Sequence, residues 1–225
     1  MSDLIGRRGL FAVASAGAVL ATAKGSLAAN TPSNSSTWRP TPEPQDSWME
    51  LPGRHRMVFD AAGVDGADNA VQFSNTFYLA NKEGYGLGPH DLGVIVILRH
   101  FSTAYAFNDA IWARWGAEFG KLAAYKDAKT KATPVRNTLL VSDGADPDEA
   151  QASLTGLADR GAHFAVCGMA MQYLSSHLAG KDTAKAKAIH AELEAGFIRN
   201  AHLVPAGIVA LNRTQEHGYT VAHMG

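Results

Sequence analysis

Residues Leu92–His100 read "LGVIVILRH". From Val94 to Leu98 every side chain is aliphatic, and no polar residue marks an outward face. A strand that is apolar on both faces belongs in the middle of a sheet covered on both sides. The run stops at Arg99 and His100, two residues able to carry positive charge at the strand's carboxyl end.

Reading outward, the same alternation repeats. Upstream, "RMVFDAAG" predicts a first strand over Met57–Phe59, ending at Asp60 and a Gly-containing loop. Ala70, Phe73, Phe77 and Ala80 then recur at helical spacing, and "GYGLG" (Gly84–Gly88) ends that helix. Downstream, Tyr105–Phe119 predicts a second helix. Residues 121–146 form an excursion of mixed composition, with a short strand expected at Thr138–Val141. Asp146-Pro147-Asp148-Glu149 carries the marks of a helix start: a capping Asp, a first-turn Pro, and a Glu able to reach back. That helix is expected to run to Arg160-Gly161. Strand His163–Val166 follows, then a helix after Cys167-Gly168 and another from Asp182-Thr183. Strand His202–Val204, a Pro205-Ala206-Gly207 turn, helix Ile208–Glu216 and a last strand in "YTVAHM" complete the chain. Strands alternating with helices imply right-handed crossovers: an α/β fold with a mainly parallel sheet between two helical layers.

In such sheets ligands sit outside the carboxyl ends of the strands. That rule singles out Asp60, Arg99 with His100, Cys167 with Gly168, and the turn holding Pro205 and Gly207. Cys167 has two readings. Amides at a helix N-terminus favour a thiolate, which is a competent nucleophile. Free cysteine is also among the most buried residue types, so a small core residue fits equally well. Arg99 and His100 suggest an anion site or a base, or else a solvated strand end. Asp60 suits a ligand position or a turn. Asn108 and Asp109 lie within the helix after His100, Asn108 on the same face as Trp112, and Asp109 is a candidate to orient that histidine. Pro205 and Gly207 shape a pocket wall or serve a plain turn.

Composition narrows the classes. The chain has 225 residues, 46% hydrophobic and 18% charged, with a formal net charge of -1. No basic surplus points to nucleic acid. One cysteine excludes an internal disulfide and a multi-cysteine zinc site. The nine histidines are scattered, with no HExxH, so neither a metal nor another cofactor is assigned.

The N-terminus reads as an address. Arg7-Arg8 precede Gly9-Leu10-Phe11 and an Ala-rich, weakly apolar run, and Ser26-Leu27-Ala28-Ala29 offers small residues for cleavage. Residues 1–29 therefore predict a twin-arginine (Tat) signal, engaging the Tat export machinery and giving a periplasmic or otherwise exported protein. Residues 30–53, rich in Pro, Ser and Thr at their start, predict a flexible linker. The α/β domain then spans 54–225.

Two stretches carry a resemblance. "FAVCGMAM" (Phe164–Met171) and "HLVPAGIVALNRTQEHGYTVAHM" (His202–Met224) resemble the closing half of DsrE/DsrF-like proteins. "MVFDAAG" and "VIVILRH" fit the opening strands of an exported branch of that family. The resemblance implies a three-layer α/β/α fold, a homo-oligomer or hetero-oligomer, and sulfane-sulfur (persulfide) binding or relay through a single cysteine, by position Cys167. It also implies a protein that donates or accepts the sulfur. Relay members work in the cytoplasm, whereas this chain reads as exported. The alternative expectation is a non-catalytic small-ligand or metal-binding module with a structural cysteine.

Overall fold

The computed structural model describes residues 39–225, apart from 128, 129, 142, 143 and 181. The expected signal at 1–29, the first part of the linker and Trp38 lie outside the described residues. Five strands, β1 (His55–Ala61), β2 (Leu92–Leu98), β3 (His163–Cys167), β4 (Ala201–Val204) and β5 (Thr220–Met224), form one sheet in the order β4-β3-β2-β1-β5. Every pairing is parallel. The fold is therefore α/β, with helical layers on both faces of the sheet.

The middle strand is the one that carries no polar residue. All seven residues of β2 are buried, and all but Gly93 divide between two cores. Leu92, Val94, Val96 and Leu98 join Phe59 and Phe164 on one face. Ile95 and Ile97 join Val58, Ala165 and Val204 on the other. The first face is covered by α1 (Val64–Tyr85), α2 (Asp109–Leu122), α3 (Pro147–Gln151), α4 (Leu154–Asp159), α5 (Gly168–Ala179) and α6 (Thr183–Ala195), with all but α3 adding buried side chains to the core. Among the described residues the second face carries one α-helix, α7 (Gly207–Glu216), which touches all five strands on its way from β4 to β5.

One helix does not cover that second face, and the chain before β1 supplies the rest. A short 3₁₀ helix, Pro44–Met49, lies where a flexible linker was expected. Met49 is fully buried and Leu51 nearly so, against Val58, Ile95, Ile97 and Tyr219. Polar contacts hold this strap in place. The Tyr219 hydroxyl donates to the Met49 carbonyl at 2.8 Å, and Arg56 Nη2 to the Leu51 carbonyl at 2.9 Å. Asp46 pairs with Arg213 of α7 at 3.6 Å, and Glu50 with His217 at 2.6 Å. Two apolar residues in a Pro-rich stretch have no periodicity, so the pattern does not announce a packed segment.

Three further elements differ from expectation. The second helix starts at Asp109, not Tyr105, because the Asn108 side chain caps it by accepting from the Ile111 N–H at 3.1 Å. Residues His100–Ala106 form a 3₁₀ turn instead. The helix expected from Asp146 to Arg160 is two helices, because the Ser153 hydroxyl donates to the Ala150 carbonyl at 2.6 Å and accepts from the Gly156 N–H at 3.0 Å. No strand forms at Thr138–Val141. The fully buried Asn137 pins that segment, donating from Nδ2 to the carbonyls of Tyr105 and Phe107, each at 2.8 Å. The Leu139 carbonyl is taken by the Leu154 N–H at 2.8 Å, so this backbone does not need a sheet partner.

A packed strap makes a mutational prediction. Met49→Ala removes a fully buried side chain and should lower the unfolding free energy by about 2–5 kcal/mol in urea denaturation. Ser47→Ala, at an exposed position two residues earlier, should change it by less than about 0.5 kcal/mol. Equal, small effects at both positions would mean that the segment does not pack.

Candidate functional site

The carboxyl ends of the strands bring the chemistry-bearing residues to one edge. Asp60 is the penultimate residue of β1, directly opposite His223 of β5 in register. Arg99 and His100 follow β2. Cys167 ends β3 and is also the residue that caps α5. Pro205-Ala206 join β4 to α7, which begins at Gly207.

Asp60 is 1% exposed. A carboxylate at such a site needs partners for both oxygens. Arg99 supplies a two-pronged contact, Nε donating to Oδ1 at 2.7 Å and Nη2 to Oδ2 at 2.9 Å. His223 Nδ1 lies 2.9 Å from Oδ2. Burial pushes the Asp60 carboxyl up, but the bonds and charges of Arg99 and His223 together outweigh it and hold the group below its ordinary value. Arg99 moves the opposite way. Its hydrogen bond to Asp60 raises its proton affinity against burial, with Asp60's charge and the Cys167 sulfur adding in the same sense.

Two glycines let the strand ends approach each other. A Cβ on Gly207 would stand 2.5 Å from Arg99 Cβ, so α7 starts where it does only because that position is bare. A Cβ on Gly168 would stand 2.7 Å from the Val204 carbonyl oxygen. Here the reason for glycine is close packing, since neither position has a positive φ. His100 does: at φ 55° it holds a left-handed conformation uncommon outside glycine. Its exposed ring meets Phe101 edge-on at 4.1 Å.

These approaches leave an open cavity of about 570 Å³. Arg99, His100 and Cys167 line it together with Met169, Tyr173 and Ile208. Its walls are mainly apolar, and its one permanent cation is already bound to Asp60. Cys167 is 7% exposed, with its side chain at the amino end of the twelve-residue helix α5, where free amides favour an anion. A free thiol, the amino end of a helix and a space for an organic group therefore meet here.

The structure separates the expected site residues. Asp60 lies beneath Arg99 instead of on the cavity wall. Gly168 and Pro205 do not line the cavity; they pack against each other, the Pro205 carbonyl oxygen lying 3.0 Å from where a Gly168 Cβ would be. Asn108 and Asp109 are not part of the pocket. Asn108 caps α2, and the Asp109 carboxylate accepts from the Asn137 N–H at 2.7 Å, so it is committed to the 137 loop and does not orient His100. His223, Met169, Tyr173 and Ile208 were not anticipated. Only the order of the strands brings His223 to Asp60.

Another cavity, of about 330 Å³, is lined in part by Asp68, Gln72, Arg136, Glu149 and Ser153 and by none of the residues singled out at the strand ends. Among the described residues no group of three or more His, Cys, Asp or Glu is arranged to hold a metal ion.

The Asp60 cluster predicts a pH dependence. A carboxyl whose folded value lies below its ordinary 3.8 stabilises the fold fully above that pH, and the contribution is lost as pH falls through the folded value. Wild-type stability should therefore drop as pH falls below about 4. Asp60→Asn should cost about 3 kcal/mol at neutral pH and flatten that acid limb, as read by urea denaturation across pH. An acid limb unchanged in the variant would remove Asp60 as its source.

Compared with family models, curated proteins and solved structures, the chain matches none, so the geometry of the strand ends carries the functional reading.

Proposed function

We propose that this protein carries sulfane sulfur on Cys167, as a DsrE-like, exported member of the resemblance described above. The observation that carries the reading is the meeting of Cys167, the amino end of α5 and Arg99 at one open cavity. In loading, the Cys167 thiolate attacks the outer sulfur of a persulfide or polysulfide. The S–S bond of the donor breaks, and its thiolate leaves with the electron pair and takes up the proton that Cys167 gave up. Cys167 then bears –S–SH. In unloading, an acceptor thiolate attacks that outer sulfur and the Cys167 thiolate departs. Neither step needs an external oxidant or reductant. The α5 amides stabilise the cysteine anion in both directions, and Arg99, held by Asp60, adds a fixed positive charge beside it.

A donor or acceptor protein, or a second copy of this chain, would meet the cavity across its rim. Met169, Tyr173 and Ile208 are 59%, 56% and 62% exposed, which suits such a contact. A Tat signal would place the exchange in the periplasm.

A second reading is favoured by one observation. A cavity of about 570 Å³ is far larger than a sulfur atom needs. It would fit a module that binds a small apolar ligand, with Cys167 as a wall residue.

Intact-mass measurement after polysulfide treatment separates the two. The carrier reading expects one added sulfur atom on the folded wild type and none on Cys167→Ser. An adduct that appears only after denaturation would contradict it and leave the ligand-binding module.

A further inference from the structure

A second cluster of titratable groups lies apart from the Cys167 site, at the strap. His163 opens β3, and His202 lies in β4 opposite Ala165, so both histidine side chains fall on the same face of the sheet. His163 Nδ1 and His202 Nε2 are 2.9 Å apart. Trp48 of the strap lies flat over both, its ring 4.3 Å from that of His202 and 6.2 Å from that of His163, with the planes within 7° and 3°. A bond between two imidazoles requires one nitrogen to donate and the other to accept. One proton fewer or more elsewhere on the rings is tolerated, but protonating both facing nitrogens sets two donors and two positive charges against each other.

We propose that Trp48 and the His163–His202 pair form an acid-sensitive clasp, which holds the strap over the second face of the sheet when the pair is neutral and releases it when the pair takes up protons. Release uncovers the seat of Met49 and Leu51, formed by Val58, Ile95, Ile97 and Tyr219.

The other charged groups around the strap are engaged elsewhere. Asp46 pairs with Arg213, which also holds Glu216 of α7. Glu50 pairs with His217 and with Arg56 of β1. Hydrogen bonding from His217 is the largest cause holding Glu50 below its ordinary 4.5, so that carboxylate keeps its charge in mild acid and its contact does not fail first. The clasp shifts in the opposite sense. Burial, and then the charge of His163, bring His202 down from 6.5 to about 4, and burial lowers His163 as well. A base weakened in the closed state favours closure above 6.5, and closure weakens as pH falls from there towards about 4. The closed-to-open ratio can fall by up to about tenfold per pH unit for each proton taken up.

Hydrogen exchange read by mass spectrometry on the full chain tests the clasp, with rates corrected for the intrinsic effect of pH. Between pH 7 and pH 4.5, protection over residues 44–51 should fall at least tenfold while β2 stays protected. Tryptophan emission should shift over the same range in the wild type and not in Trp48→Phe. His202→Gln keeps a hydrogen-bonding side chain without a titrating one, and should keep the strap protected in acid; His163→Gln provides the same test if that variant folds poorly. Three results would each overturn the clasp: strap protection equal at the two pH values, acid release undiminished in the folded glutamine variant, or loss of protection in β2 together with the strap.

Discussion

The buried carboxylate of Asp60 is the constraint around which the carboxyl edge of the sheet is arranged. A charge with 1% exposure survives only if its partners are in place, and those partners come from the residue that follows β2 and from β5. The contact therefore joins three adjacent strands at their carboxyl ends. It also commits the Arg99 side chain to one direction. The stem of Arg99 then fills the space that Gly207 leaves bare, which sets where α7 begins. The start of α7 forms one wall of the cavity and the start of α5, with Cys167, forms another.

The sheet itself poses a covering problem. Its middle strand is apolar on both faces, so both must be shielded from water. Among the described residues one face has six helices and the 3₁₀ turn after β2. The other has α7 and the strap, whose contribution is a few buried side chains backed by polar contacts to Arg56, Arg213, His217 and Tyr219. The lighter layer is the one whose hold depends on titratable groups.

How much of this is legible in the sequence depends on how local each signal is. "VIVIL" announces a central strand because its lack of polar residues is contiguous. Cys167 can be placed at a strand–helix junction because the apolar run before it and the Gly after it are adjacent. Asn108 and Asp109 mislead because a polar residue after a strand looks the same whether it faces a pocket or caps a helix; the buried Asn137 that claims Asp109 is 28 residues away. The strap hides for another reason, since Met49 and Leu51 have no periodicity to distinguish them from a tether. His223, His163 and His202 read as isolated residues, because only the strand order β4-β3-β2-β1-β5 makes them neighbours of Asp60 and of each other. Contacts along the chain leave a pattern, whereas contacts across the sheet do not.

An experimental structure of the polysulfide-treated protein tests the central claim most directly. The account predicts an extra sulfur atom bonded to Cys167 Sγ and directed into the cavity beside Arg99, with the Arg99–Asp60 contact intact. A Cys167 sulfur turned into the core, unmodified and closed off from the cavity by Met169, Tyr173 and Ile208, would contradict it.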